Sequence, residues 1–155
     1  MLQTGHYHIV SKSTNTRVGR HFVEDHSLLP KKILVLPKDF SDRQPWLIIK
    51  DEGSDDTYTL RADGAAVVHI HGKLFAELLD HSPSQKAWKI QAQPHHGENT
   101  FTVVSAHDQG LGWVVPDNEP FTQLHVRPLI VAPSIPPHFP SSELFEIVRL
   151  LEDSD

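Results

Sequence analysis

Two pairs of histidines have the spacing of metal ligands on a β-strand. His6 and His8 stand two residues apart, an interval that points both side chains to one face of a strand. His69 and His71 repeat it. A catalytic zinc site needs a third protein ligand, and the nearest carboxylate, Glu77, follows six residues after His71. We therefore expect structural or surface histidines, with no metal ion and no other cofactor.

Catalytic motifs are missing from the sequence. It contains no cysteine, so a thiol nucleophile is ruled out. It also lacks a G-x-S-x-G nucleophile elbow, a phosphate-binding loop and the glycine set of a dinucleotide site. Serine, histidine and aspartate all occur, but in no recognisable catalytic frame. We predict that the protein is not an enzyme.

The stretch EDHSLLPKKILVLP, residues 24–37, joins an unusual connection to a strand. Its second half predicts a strand, because apolar and β-branched side chains suit a pleated, half-buried surface. Its first half places Leu28, Leu29 and Pro30 where polar turn residues are expected. The connection is therefore a candidate binding segment.

The composition indicates one acidic domain over residues 1–155. A chain of this size buries about 70% of the surface that its unfolded form exposes. Fourteen Lys and Arg against twenty Asp and Glu give a net charge of -6 without a basic stripe, so we expect a protein or sugar partner and no nucleic acid. No apolar run approaches the ~20 residues of a membrane helix, no leader pattern is present, and cysteine is absent. We expect a cytoplasmic protein without membrane contact.

The sequence contains a weak threefold repeat. Each repeat opens with an aromatic residue followed two positions later by an apolar one, and it closes with a similar pair. The openings are GHYHIV at Tyr7, DTYTLR at Tyr58 and NTFTVV at Phe101, and the closings are PWLII at Trp46, AWKIQ at Trp88 and LFEIV at Phe145. Alternation with period two predicts that these segments are strands with the aromatic residue on one face.

Two further candidate strands lie between the bookends of each repeat, which gives twelve strands in all. Three four-strand repeats, about residues 5–50, 56–93 and 99–150, predict an all-β fold of the β-trefoil type. Six strands would close a barrel and six would form three hairpins that cap one end, leaving no unpaired edge. The expected core combines the six aromatic bookends with Leu34, Leu36, Leu78, Val126 and Leu129.

Two segments have apolar residues at helical spacing and oppose this interpretation. One is SSELFEIVRLLED, residues 141–153, and the other is KLFAELLD, residues 73–80. We give the repeat precedence and predict a strand at both places.

The order of these segments resembles the mycospins, fungal serine-protease inhibitors of the cospin type. The resemblance runs from about Gly5 to Arg149 and includes GHYHIV, VGR, EDHSLLPKKILVLP, AWKI, FTVV, GWVVP, QLHVRPLIV and LFEIV. It implies a monomeric, cytosolic fruiting-body β-trefoil that inhibits trypsin-like serine proteases in defence against animals that eat the fungus. Family members use either the loop between the second and third strands or the one between the eleventh and twelfth, so we assign no single reactive residue.

The first candidate protease-binding loop consists of Asp25, His26, Ser27, Leu28, Leu29, Pro30 and Lys31. A loop that is rigid before it enters the protease cleft loses little entropy on binding, so the contact energy becomes affinity. The leucines supply apolar contacts, Pro30 favours an extended Leu29, and Lys31 would fill an acidic specificity pocket. The alternative is that both leucines pack under the barrel while Lys31 and Lys32 are solvated.

The second candidate loop consists of Pro133, Ser134, Ile135, Pro136, Pro137, His138 and Phe139, within a segment in which four of eleven residues are proline. Prolines favour an exposed, extended path without ladder pairing. Ile135 or Phe139 would suit an apolar pocket, but without Lys or Arg the segment is a poor trypsin ligand. The alternative is a plain connection between the last two strands.

Two other functions fit the same fold. A sugar-binding protein would use an exposed aromatic residue beside Asp or Asn, and Trp113 with Asp117 and Asn118 is the best candidate. Lectins of this fold usually carry Q-x-W in each repeat, whereas here it occurs once, at residues 44–46. Trp113 has the alternative of packing in the barrel cap. An inhibitor of cysteine proteases is the remaining alternative.

Overall fold

The computed structural model describes residues 2–39, 45–79 and 86–150. These ranges contain twelve β-strands and two single-turn 3-10 segments, Pro94–His96 and Ser141–Glu143. The strands are β1 Gly5–Ser11, β2 Val18–Arg20, β3 Lys31–Val35, β4 Trp46–Lys50, β5 Thr57–Ala62, β6 Ala65–Ile70, β7 Lys73–Glu77, β8 Trp88–Ala92, β9 Thr100–Ser105, β10 Leu111–Val114, β11 His125–Pro128 and β12 Phe145–Arg149. The prediction of an all-β fold is confirmed. No helix in this part of the chain is long and apolar enough to cross a membrane.

Both segments with helical spacing form strands where the structure describes them, which leaves out residues 80 and 151–153. Lys73–Glu77 is β7, which pairs with β3, β6 and β11, and Phe145–Arg149 is β12, which pairs with β1 and β9. Among the described residues of the two segments, only Ser141–Glu143 makes a helical turn, of the 3-10 type. Ladder hydrogen bonds on two sides of each strand outweigh the local preference, as tertiary context commonly does.

Six strands pair in one closed ring. The order around it is β1, β4, β5, β8, β9 and β12, and β12 pairs again with β1. The other six strands form the antiparallel pairs β2–β3, β6–β7 and β10–β11. These pairs are joined to one another because β7 bonds to both β3 and β11. Loops that leave these strands therefore begin at strand ends that are fixed by hydrogen bonds to neighbouring strands.

Trp113 occupies the centre of the core. Its ring lies 5.7 Å, centroid to centroid, from the rings of Trp46, Trp88 and Phe145. These three residues close the three sequence repeats, and all four side chains are buried. Trp113 therefore packs inside the protein, and its interpretation as a sugar-binding aromatic is wrong.

In two of the repeats, a hydrogen bond from a tryptophan indole joins the closing strand to an outer strand pair. The indole N–H of Trp46 donates to the carbonyl of Val18 at 2.9 Å, and that of Trp88 donates to Val67 at 3.0 Å. The third closing residue, Phe145, has no side-chain N–H and cannot make this bond. Of the other residues expected in the core, Tyr7, Tyr58, Phe101, Leu34, Leu36 and Val126 are buried, while Leu78 and Leu129 are half-buried.

Replacing Trp113 with alanine removes the side chain on which three aromatic residues pack. We expect Trp113→Ala to lower the free energy of unfolding by about 3–5 kcal/mol, the usual cost of truncating a fully buried large aromatic residue. Urea denaturation measures this, with the half-exposed Val148→Ala on β12 as control. A Trp113→Ala protein as stable as the control would contradict the central role of this residue.

Candidate functional site

The connection between β2 and β3, residues 21–30, presents four apolar side chains to solvent. Phe22, Val23, Leu28 and Leu29 are 59%, 65%, 64% and 67% exposed. The interpretation in which Leu28 and Leu29 pack under the barrel is therefore wrong. Exposed apolar side chains grouped on one loop mark a surface that another molecule covers.

Lys31 ends this β2–β3 loop, and its side chain is occupied within the protein. The residue is only 7% exposed. Its ammonium donates to the Asp25 carboxylate at 2.5 Å, to the Asp25 backbone carbonyl at 3.2 Å and to the Ser27 hydroxyl at 3.2 Å. With its donors bound to the loop, Lys31 is neither solvated nor presented to a specificity pocket. It holds the loop in shape instead.

Asp25 organises the same turn from the other side. Its carboxylate also accepts the backbone N–H of Ser27 at 3.0 Å and the Ser27 hydroxyl at 2.5 Å. The hydroxyl oxygen of Ser27 in turn accepts the N–H of Leu29 at 3.3 Å. The Lys31 ammonium, followed by the two Ser27 donors, holds the pKa of the Asp25 carboxyl well below its usual range. The Asp25 carboxylate is therefore charged at neutral and mildly acidic pH.

Arg20 anchors the first arm of the β2–β3 loop to the frame. Its guanidinium donates two bonds to the Glu24 carboxylate, at 2.6 and 3.1 Å, in the bidentate geometry that Arg and carboxylate prefer. It also donates to the carbonyls of Ala62 and Asp63, at 3.1 and 3.3 Å, in the turn between β5 and β6. Both arms of the loop are therefore fixed by charge-assisted bonds.

The proline-rich connection between β11 and β12, residues 129–144, is also ordered and presents Ile135, which is fully exposed. A backbone bridge closes the loop, because Ala132 donates to the carbonyl of His138 at 2.9 Å. The Ser134 hydroxyl donates to the carbonyl of Pro136 at 2.8 Å. The second candidate loop is thus a shaped, exposed segment.

Histidines attach this second loop to the 3-10 segment Pro94–His96. His95 Nε2 donates to the carbonyl of Pro137 at 2.6 Å, and His96 Nε2 accepts the N–H of Phe139 at 3.1 Å. The rings of His95, His96 and His138 lie 4.4–5.5 Å apart, centroid to centroid. Burial, then the charges of His95 and His138, lower the pKa of His96. The neutral imidazole that this favours is the form that accepts a hydrogen bond.

Glu143 holds the beginning of the second loop. Its buried carboxylate accepts the N–H of Ile130 at 2.6 Å through Oε2, while Oε1 makes no hydrogen bond within the described residues. Burial raises the pKa of Glu143, partly offset by the bond from Ile130.

The paired histidines do not form a metal site. Across the described part of the chain, no three His, Asp or Glu side chains are arranged to hold a metal ion. His69 Nε2 accepts the N–H of Gly72 at 2.9 Å and so stabilises the turn between β6 and β7. His8 is half-buried on β1, and burial, then the nearby Arg17, lower its pKa.

Comparison with known proteins places this chain in a known class. The chain matches the family described as peptidase inhibitor I66 over residues 1–149. A serine protease inhibitor of Lentinula edodes is 40% identical over 149 residues, which cover 96% of this chain and 99% of that protein. The structure of a proteinase inhibitor from Coprinopsis cinerea is 47% identical, with a TM-score of 0.89, and the match covers 97% of this chain and 100% of that one.

More distant structures share the fold alone. A designed 3-fold symmetric protein, ThreeFoil, is 15% identical with a TM-score of 0.69, over 94% of this chain and 99% of that one. A ricin B-like lectin of Macrolepiota procera, solved with lactose, is 17% identical with the same TM-score, over 97% and 99%.

These comparisons define the class as fungal serine-protease inhibitors, and the protein is not an enzyme. The chain belongs to the peptidase inhibitor family I66. The resemblance to this kind of inhibitor, carried by the order of its strands, is confirmed.

Mild acid is expected to loosen the second loop at Phe139. Because the folded-state pKa of His96 lies below its ordinary 6.5, the stability that the neutral ring contributes is present above pH 6.5 and is lost as the pH falls through the lowered pKa. Protonation removes the acceptor for the Phe139 N–H and adds charge beside His95 and His138. We expect hydrogen exchange at the Phe139 amide, corrected for intrinsic rates, to accelerate from pH 7.5 to pH 5. In His96→Gln, which keeps an acceptor but cannot titrate, this pH dependence should disappear; equal protection of the parent protein at both pH values would contradict the prediction.

Neutralising Glu143 is expected to stabilise the protein at pH 7. Its raised folded-state pKa means that its contribution is most favourable at low pH and is lost as the pH rises through that pKa. Glu143→Gln removes the buried charge and keeps an acceptor for Ile130, so the free energy of unfolding should rise by about 1 kcal/mol in urea denaturation. Glu146→Gln, on the half-buried neighbour in β12, is the charge-matched control and should change little. A Glu143→Gln protein less stable than the parent would show that the charge itself is needed.

Proposed function

We propose that this protein inhibits a serine protease by placing the β2–β3 loop in the enzyme's cleft as a substrate would lie. The observation that carries the proposal is the exposure of Leu28 and Leu29 on a loop whose two arms are fixed, by Arg20 at one end and by Lys31 at the other. Family membership supplies the class of target, and the loop geometry supports the manner of binding.

The fixed shape of the loop is what would favour inhibition. A flexible segment loses side-chain and backbone freedom when a protease orders it, and this loss subtracts from the contact energy. Here the Asp25 carboxylate, the Ser27 hydroxyl and the Lys31 ammonium already hold the turn. Pro30 restricts its own φ and favours an extended Leu29. The loop would therefore bind with most of its ordering cost already met by folding.

The loop chemistry favours a protease with an apolar specificity pocket. The expectation of a trypsin-like target came from the family resemblance and from Lys31, which would fill an acidic pocket. Lys31, however, is buried in the Asp25 network. The exposed apolar side chains on the second arm of the loop are Leu28 and Leu29, which fit apolar pockets. We therefore propose chymotrypsin-like specificity, and trypsin is the comparison enzyme.

The β11–β12 loop is the second candidate for the same activity. Ile135 is fully exposed, and the segment that carries it is tied to His95, His96 and Glu143. It would present an apolar residue to a second protease, or to the same one from another side of the barrel. Its dependence on the neutral imidazole of His96 distinguishes it from the β2–β3 loop.

We propose further that the fold is a single β-trefoil with repeats of about residues 5–50, 56–93 and 99–150. The closed ring of six strands, the three outer pairs and the likeness to a designed 3-fold symmetric protein support this assignment. A monomeric state, a cytoplasmic location and a role in defence remain predictions from the family resemblance.

The sugar-binding alternative has lost its main support. Trp113 is buried, so it cannot stack on a sugar beside Asp117 and Asn118. The single Q-x-W begins at Gln44, which lies outside the described residues. Inhibition of a cysteine protease stays in the test because one inhibitor fold can present different loops.

The test measures inhibition constants against chymotrypsin, trypsin and papain for the parent protein, Leu29→Glu and Ile135→Glu. The two variants place the same charge at an exposed apolar residue of each loop, so each is the control for the other. We expect Leu29→Glu to weaken inhibition of the serine protease by about a hundredfold, since each tenfold corresponds to about 1.4 kcal/mol of lost apolar contact. Ile135→Glu should match the parent.

The reverse pattern, with only Ile135→Glu affected, would move the inhibitory site to the β11–β12 loop. Inhibition of papain alone would overturn the serine-protease assignment for this protein. Both changes lie on exposed side chains, so we expect both variants to be as stable as the parent. Urea denaturation checks this.

A further inference from the structure

We propose that His21, Phe22 and Phe121, here called the aromatic stack, form a second contact surface for the protease that binds the β2–β3 loop. The inference deepens the proposed function and rests on it. It assigns a contact role to Phe121, which lies outside that loop in the connection between β10 and β11, about 100 residues later in the chain.

The three rings are already assembled on the surface. The His21 ring is stacked against Phe22, at 5.1 Å between centroids and 15° between planes, and against Phe121, at 4.8 Å and 29°. Phe22 is 59% exposed and Phe121 is 41% exposed. Stacked rings at these separations attract one another, so a partner would meet a surface that needs no rearrangement.

Phe121 has an unusual backbone conformation. Its φ is +66°, in the left-handed region that bulky residues seldom occupy and that Gly or Asn adopt more easily. The backbone of β3 holds it there, because the Phe121 N–H donates to the Val35 carbonyl at 2.6 Å and Val35 donates to the Thr122 carbonyl at 2.8 Å. A strained position that carries an exposed aromatic ring points to a use for the ring itself.

The stack is continuous with the inhibitory loop. His21 Nδ1 accepts the N–H of Val23 at 2.9 Å, which fixes the first arm of the loop beside the stacked rings. Phe22 and Val23 are on this arm, and Leu28 and Leu29 are on the other, so one loop exposes four apolar side chains. Phe121 adds a fifth beside His21, at the start of the first arm. A partner that covers both arms of the loop would therefore also meet the stack.

A protease–inhibitor interface buries more surface than the tip of one loop provides. Such interfaces bury about 800 Å² on each partner and use about 20–30 residues a side. Residues 25–30 alone cannot supply this area. Aromatic residues are enriched at interfaces and carry a large share of the binding energy there. The aromatic stack is exposed apolar surface beside the loop and would add to the buried area. The molecule that covers it is the same protease.

The first experiment replaces Phe121 with Asn and measures inhibition of whichever serine protease the parent inhibits. Asn removes the ring but tolerates a positive φ, so the variant should be at least as stable as the parent in thermal unfolding. We expect the inhibition constant to rise about tenfold, chiefly through faster dissociation. Val148→Thr, which reduces exposed apolar surface on β12 away from the loop, should inhibit like the parent.

A second experiment separates contact from mere support of the loop. A benzophenone amino acid in place of Phe121 should crosslink to the protease on irradiation of the complex, and the same amino acid in place of Val148 should not. A weakened Phe121→Asn without a crosslink would show that Phe121 acts only by supporting His21, and it would overturn the proposal. An unchanged inhibition constant in Phe121→Asn would overturn it as well.

Leu29→Glu separates the proposed inhibitory function of the β2–β3 loop from the second contact surface. If Leu29→Glu abolishes inhibition while Phe121→Asn does not weaken it, the proposed function stands and the second contact surface falls. If Leu29→Glu inhibits as the parent does, both fall together, because the stack was assigned to the protease bound at this loop.

Discussion

Closure of six strands into one hydrogen-bonded ring is the constraint on which the rest of this structure depends. A closed ring has no free edge, so the backbone groups of its strands are satisfied within the protein. It also fixes the ends of β1, β4, β5, β8, β9 and β12 relative to one another. Trp113 fills the interior against one aromatic residue from each repeat. Loops on this frame are therefore free to carry side chains that contribute nothing to folding.

The loops gain their shape from polar groups that are tied back to this frame. Arg20 and Lys31 stand at the end of β2 and the start of β3, and their charged groups point into the loop between them rather than into solvent. Glu143 acts in the same way on the second loop, through the N–H of Ile130. Burying a charge is costly unless it is bonded, so each of these groups favours the one loop conformation that satisfies it. The exposed leucines and isoleucine are presented as a consequence.

Features that depend on local periodicity were predictable from the sequence. Alternation and the recurring aromatic bookends located the strands, including the two whose spacing looked helical, and the apolar segment around Leu28 and Leu29 indicated an exposed surface. The burial of Lys31 was not predictable in the same way, because its partner Asp25 is six residues away in an irregular loop where no period applies. The contacts of His95 and His96 with the second loop join residues about 40 positions apart. A residue pattern within one segment of the sequence cannot predict a contact over this distance.

The two loops use different chemistry, and this difference has a functional consequence. Asp25 keeps its charge in mild acid because the Lys31 ammonium and the Ser27 donors lower its pKa. The stability that it provides is therefore present above the ordinary carboxyl pKa and is lost as the pH falls from there through the lowered pKa. The second loop depends on the neutral form of His96, which is lost only as the pH falls below the ordinary histidine pKa and through the lowered pKa of this residue. The contact of the second loop with His96 therefore depends on an imidazole that must stay neutral, whereas the first loop depends on a carboxylate that must stay charged. If each loop binds a protease, acid would weaken the two sites through opposite changes, by neutralising Asp25 in the first and by charging His96 in the second.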